Sequence, residues 1–78
     1  MYIAQLDISS ENTEIEVKEF ANGLGCTAIL VQEFGPAGGN PLYIFESKNY
    51  NNLDELVRQV IGDADEETIK TVIIEASK

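Results

Sequence analysis

Polar and apolar residues alternate from Tyr2 to Ile8. Tyr2, Ala4, Leu6 and Ile8 share one face, with Ile3, Gln5 and Asp7 on the other, which is the period-two signature of a strand. Ser9, Ser10, Glu11 and Asn12 break the pattern. Thr13 followed three residues later by Glu16 has the spacing of a capping box, in which each side chain satisfies the other residue's free backbone N–H. Val17, Phe20, Ala21 and Leu24 then recur at helical spacing, with Gly23 and Gly25 where a C-terminal cap belongs. A first helix is therefore predicted from about Thr13 to Leu24.

Cys26 to Phe34 is apolar and β-branched and reads as a second strand, and Leu42 to Glu46 as a third. Between them Gly35 to Pro41 is turn chemistry, so the two strands form a hairpin. Asn51 or Asn52 is expected to cap a second helix with the apolar stripe Leu53, Leu56, Val57, Val60 and Ile61, ended by Gly62. Asp54 and Arg58 pair on its exposed side. An acidic turn, Asp63 to Glu67, leads to a last strand, Ile69 to Ala76, and a short tail, Ser77 and Lys78.

The predicted order is strand, helix, strand, strand, helix, strand. This is the split βαβ arrangement of an α+β, ferredoxin-like domain, here a single domain over residues 1–78. Right-handed crossovers place both helices on one face of a four-stranded antiparallel sheet, with the first and third strands central. The helix-covered side takes Ala4, Leu6, Ile8, Ala28, Leu30, Leu42, Ile44, Val72 and Ile74. The other side then shows Ile3, Gln5, Asp7, Thr27, Ile29, Val31, Glu33, Tyr43, Phe45, Thr71 and Ile73. The third strand is apolar at every position from Leu42 to Phe45, so the reverse assignment, with Tyr43 and Phe45 inside, stays open. Either way the uncovered face carries large apolar side chains where an antiparallel sheet normally shows polar ones. Ile3, Ile29, Val31, Tyr43, Phe45 and Ile73 are the expected self-association face, packing two copies as a homodimer.

Charge narrows the functions. Fourteen acidic residues against five basic ones, with no histidine, give a net charge of −9. That balance opposes direct binding to a nucleic-acid backbone or an anionic membrane. Without histidine the chain lacks the commonest general base and zinc ligand. The single cysteine forms no internal disulfide. No apolar run is long enough for a membrane span, and the N-terminal residues lack a signal-peptide pattern. A cytoplasmic location is expected, the host cytoplasm if the chain is viral.

Known chemistry of this element order needs residues that are missing. Soft-metal carriers hold two cysteines in the first strand-to-helix loop, where this chain has Ser9-Ser10-Glu11-Asn12. Acylphosphatase-like catalysis needs a cation in a phosphate-cradling loop, whereas Arg58 is the only arginine and lies mid-helix. Met1 to Leu6 and the Tyr43/Phe45 pair are similar to the first- and third-strand motifs of RNA-recognition domains. The basic residue and glycine of the third-strand motif are absent, however, and the net charge is wrong for a stacking platform. Gly38-Gly39 precedes a strand, so it reads as a hairpin turn and not as a phosphate loop. Asp63, Asp65, Glu66 and Glu67 lack the calcium-loop spacing. Cys26 reads as a small buried residue, with Lys18 placed to lower its pKa. No cofactor, metal or catalytic residue is expected.

What remains is acidity. Glu11, Glu14, Glu16 and Glu19 surround an exposed Ile15 around the first helix, and Asp63, Asp65, Glu66 and Glu67 follow the second. Such a surface steers onto a basic protein partner. The expected function is therefore a small acidic, non-enzymatic interaction module, by analogy of size and charge a phage-type inhibitor or nucleic-acid mimic. A small-molecule-sensing regulatory domain acting as a homo-oligomer, or a purely structural subunit, are the alternatives.

Overall fold

The computed structural model describes residues 1–33, 39–62 and 65–76. Its elements are β1 (Tyr2–Asp7), α1 (Glu14–Gly23), β2 (Thr27–Gln32), β3 (Leu42–Ser47), α2 (Tyr50–Ile61), α3 (Glu66–Val72) and β4 (Ile73–Glu75). The chain is α+β, with a four-stranded antiparallel sheet ordered β2-β3-β1-β4 and three helices where two were expected.

Local chemistry accounts for the helix ends. Thr13 and Glu16 form the capping box: Glu16 N–H donates to Thr13 Oγ1 at 3.1 Å, and Thr13 N–H donates to Glu16 Oε1 at 2.9 Å. Beyond α1 the chain turns through Gly25, whose φ of 75° is disfavoured for any residue with a Cβ. A Cβ there would also overlap the Asn52 amide, which would have to swing aside. The cap of α2 is Asn49 instead of the expected Asn51 or Asn52. Its side-chain oxygen accepts from both of those residues' N–H groups, at 2.9 and 3.3 Å. Gly62, at φ 87°, ends the helix as expected.

The stretch read as acidic turn and long strand is mostly α3. Asp65 caps it, accepting from Thr68 N–H at 2.9 Å, and Glu66 and Glu67 occupy its first turn, where carboxylates suit the helix dipole. β4 is thereby cut to three residues and its sides are set differently from the expectation. Ile73 is buried, whereas Ile74 is 58% exposed.

The helices cover one side of the sheet. α1 rests on β2, α2 lies over β1 and β3, and α3 packs against β4 and α2. Between the layers lies a core of Ala4, Leu6, Val17, Ala21, Leu53, Leu56, Val57, Ile69 and Ile73, with Tyr43 and Phe45 at its centre. The registers place Phe45 between Ala4 and Ala28, and Tyr43 between Leu6 and Leu30. A large ring flanked by two alanines fits this layer, so the reverse assignment of the third strand is the correct one. Tyr43, Phe45 and Ile73 therefore leave the predicted self-association face and join the core. Leu42 and Ile44 move the other way. Phe20 and Ile61, counted on the apolar stripes, are each more than a third exposed. The expected second strand is shorter than read, and the ladder to β3 slips by one residue between Leu30 and Gln32, a bulge at Val31. Most of the Gly35–Pro41 hairpin loop, with Asp63, Ser77 and Lys78, lies outside the described residues.

Candidate interaction surfaces

Strand alternation puts Ile3, Gln5, Asp7, Thr27, Ile29, Leu42, Ile44, Glu46 and Ile74 on the side of the sheet that no described helix covers. Ile29, Val31 and Ile74 are 43%, 51% and 58% exposed, and Ile3, Leu42 and Ile44 are half-buried. The register sets Ile74 beside Ile3, and Ile44 between Gln5 and Ile29. Large aliphatic side chains thus cross the sheet from β4 to β2, interrupted by a few polar ones. Of the six residues expected here, Ile3, Ile29 and Val31 keep their place.

The acidic residues lie on the helix side. Glu11, Glu14, Glu16, Glu19, Asp65, Glu66 and Glu67 are all exposed. Not all are free to meet a partner. Glu16 closes the capping box, Glu14 pairs with Lys18 at 3.0 Å, and Asp65 caps α3. The N–H of Thr68 holds the Asp65 carboxyl below its ordinary pKa. The structure also separates the two acidic groups that the sequence reading combined. α1 lies toward the β2 edge and α3 toward β4, with α2 between them carrying the Asp54–Arg58 pair. Arg58 Nε donates to Asp54 Oδ1, and that hydrogen bond, with the charge of Asp54, raises the Arg58 pKa.

A groove of about 390 Å³ opens between the Ser9–Asn12 turn, Glu16 and Phe20 of α1, and Gln59 and Val60 of α2. A sensing domain would take its ligand at such a strand-to-helix turn. Three of its polar side chains are engaged locally, Ser9 Oγ by Glu11 N–H, Glu16 by Thr13 N–H and Gln59 by Glu55, and Asp7 and Asn12 complete its polar lining. Among the described residues, no three potential metal ligands cluster.

Cys26 is buried, and burial pushes its thiol pKa up, with a partly opposing hydrogen bond to Ser47. Lys18 therefore does not make it a reactive thiolate. Ser47, which the sequence reading passed over, is the buried polar hub of this end of the sheet. Its hydroxyl donates to Gly25 C=O and accepts from Asn49 N–H, both at 3.1 Å, tying the α1–β2 turn to the cap of α2. A small polar residue closing an apolar strand was the available signal. None of the described helices is long and apolar enough to cross a membrane. Compared with protein-family models, with curated proteins and with solved structures, the chain gives no match in any of the three.

Proposed function

We propose that this chain is a non-enzymatic protein-interaction module on a ferredoxin-like βαββαβ frame, with α3 added to its second crossover. It associates with a second copy through the uncovered sheet face and docks a basic protein partner on its acidic helices. The observation carrying this reading is the division of the surface by the sheet. Aliphatic side chains gather on one side, and the exposed carboxylates of α1 and α3 on the other.

The occupant of the sheet face is a second copy because that surface carries only two charges, Asp7 and Glu46, among its strand residues, a small share of the acidity of a molecule of net charge −9. Two like-charged copies meet at least electrostatic cost there. Contact about a two-fold axis sets Ile29, Ile44 and Ile74 against the same surface of the copy. The partner for the helices is a basic protein surface, as for a nucleic-acid mimic of the phage-inhibitor kind. Glu11, Glu14 and Glu19 are the carboxylates on the α1 side that are not committed to a helix cap.

Light scattering tests the first half. A dimer that becomes monomeric on Ile74→Glu supports it, and a wild-type monomer at millimolar concentration overturns it. Phe45→Glu is unsuitable because Phe45 is fully buried and its replacement would unfold the domain. For the second half, binding to a lysine-rich helical peptide is titrated at several salt concentrations. Binding that weakens steeply with salt and is lost with Glu14→Lys/Glu19→Lys supports it. Binding indifferent to both overturns it.

A further inference from the structure

Tyr43 is 2% exposed, with its ring in the core beside Phe45. A tyrosine so placed normally finds a partner for its hydroxyl. Here no group among the described residues hydrogen-bonds it. Yet no described side-chain oxygen is both fully shielded and unpartnered, so the hydroxyl is the part of Tyr43 that reaches the surface. It does so in a cleft of about 280 Å³ between the β1–α1 turn, the C-terminal end of β2 and the start of β3. Leu30 and Pro41 give this cleft an apolar wall, and Ser10, Glu14 and Glu33 a polar one.

The lining selects the kind of ligand. Glu14 and Glu33 are acceptors only, and the phenol oxygen also accepts, so a group made of donors fits them. Their charges act on that hydroxyl: after burial, Glu14 contributes most to raising the Tyr43 pKa, Glu33 adds to it, and Lys18 opposes. Glu14 is shared with Lys18 at 3.0 Å, whereas Glu33 has no basic partner among the described residues. The volume lies just under the ~300–1,000 Å³ of small-molecule sites, which leaves room for one long side chain.

We infer that this cleft takes a single lysine or arginine side chain of the basic partner. Its alkyl stem lies along Leu30 and Pro41, and its cationic head donates to the Tyr43 hydroxyl beside Glu14 and Glu33. The inference rests on the docking proposed above and gives that partner a point of entry. It also adds Glu33, at the end of β2, to an acidic surface otherwise built from the helices.

NMR titration tests this with two probes, n-butylammonium, which is a lysine side chain without its backbone, and the lysine-rich peptide. Both are expected to shift the amides of Ser10, Leu30 and Glu33. Tyr43→Phe keeps the ring and weakens each probe by about tenfold, and Glu33→Gln by about threefold. The urea midpoint of Tyr43→Phe stays at the wild-type value, because the hydroxyl has no partner to lose; a marked fall reveals an internal partner and overturns the inference. Peptide binding that is lost in Glu14→Lys/Glu19→Lys but indifferent to Tyr43→Phe and Glu33→Gln overturns the cleft and leaves the acidic docking standing. Butylammonium bound in the cleft, with no binding of the peptide, keeps the cation site and overturns the docking.

Discussion

An alanine scan along β3 separates its two sides, because neighbouring residues there have opposite roles. Phe45 is fully buried between Ala4 and Ala28, whereas Ile44 is half-buried on the uncovered face. Truncating a buried phenylalanine costs ~3–5 kcal/mol, including the cavity left behind. A half-buried isoleucine forfeits only part of its burial, ~1–2 kcal/mol. A domain of this length has a total stability of ~4–12 kcal/mol, so Phe45→Ala removes a large share and Ile44→Ala does not. In urea, with a slope of ~1 kcal/mol per molar for so small a protein, the midpoint falls by ~3–5 M and ~1–2 M respectively. Unfolding followed by far-UV circular dichroism at high dilution, where the copies are apart, reads both values. Equal losses, or a larger loss for Ile44→Ala, would refute the assignment of sides. A second concentration extends the test to function. If the uncovered face binds a copy, concentrating the protein to 100 times the dissociation constant raises wild-type stability by only ~1.6 kcal/mol per protomer, because pairing depletes the free copy, and Ile44→Ala diminishes that rise.

Three further outcomes follow from the local geometry. Gly25→Ala lowers the melting temperature by more than ~8 °C, from a left-handed backbone penalty of ~1–2 kcal/mol plus the overlap with Asn52; adding Asn52→Ala recovers the overlap part alone, and full recovery would deny the backbone part. Thr13→Ala, which removes the capping box of α1, costs ~0.5–2 kcal/mol in the same urea assay, and an unchanged midpoint would mean the cap is dispensable. Burial raises the folded-state pKa of both Cys26 and Tyr43, so the unfolded chain ionises first. Their contribution is whole below the ordinary thiol and phenol values of 9.0 and 10.0 and is lost as pH rises through them toward the folded values. The urea midpoint falls on alkalinisation and falls less in Cys26→Ala; a midpoint constant to about pH 11 contradicts both burials.

Features decided within a few residues were legible in the sequence, and features decided by cross-strand neighbours were not. The capping box, the glycine end of α2 and the alternation of β1 are short-range, and each occurs where its pattern stands. The sides of β3 could not be read from Leu42 to Phe45 alone, since every position is apolar. The deciding fact is that Ala4 and Ala28 flank Phe45, which needs the register of two neighbouring strands. In Thr68 to Ile74 a run of β-branched residues argued for a strand. The spacing of Asp65 to Thr68, the acidic first turn, and Ile69 with Val72 and Ile73 at helical intervals argued for a helix. Capping and burial of Ile69 prevail over β propensity, which tertiary packing commonly overrides. The acidic surface was legible as composition, but its division between α1 and α3 was not, because α2 comes to lie between elements that flank it in the sequence.

The opposite character of the two sheet sides has a consequence that neither side has alone. Attraction between the acidic helices and a basic partner is Coulombic and long-ranged, so added salt screens it and weakens binding. The proposed association through the aliphatic sheet face would be opposed by repulsion between two copies of charge −9, and the same salt would screen that repulsion and tighten the contact. If both proposed contacts form, ionic strength moves the two equilibria in opposite directions. A single adhesive patch serving both purposes would move them together. Measured side by side over the same salt series, partner affinity by titration and dimer affinity by sedimentation decide between these cases. Opposite slopes require two surfaces, which the fold supplies by placing the carboxylates of its helices on one side of the sheet and its aliphatic residues on the other.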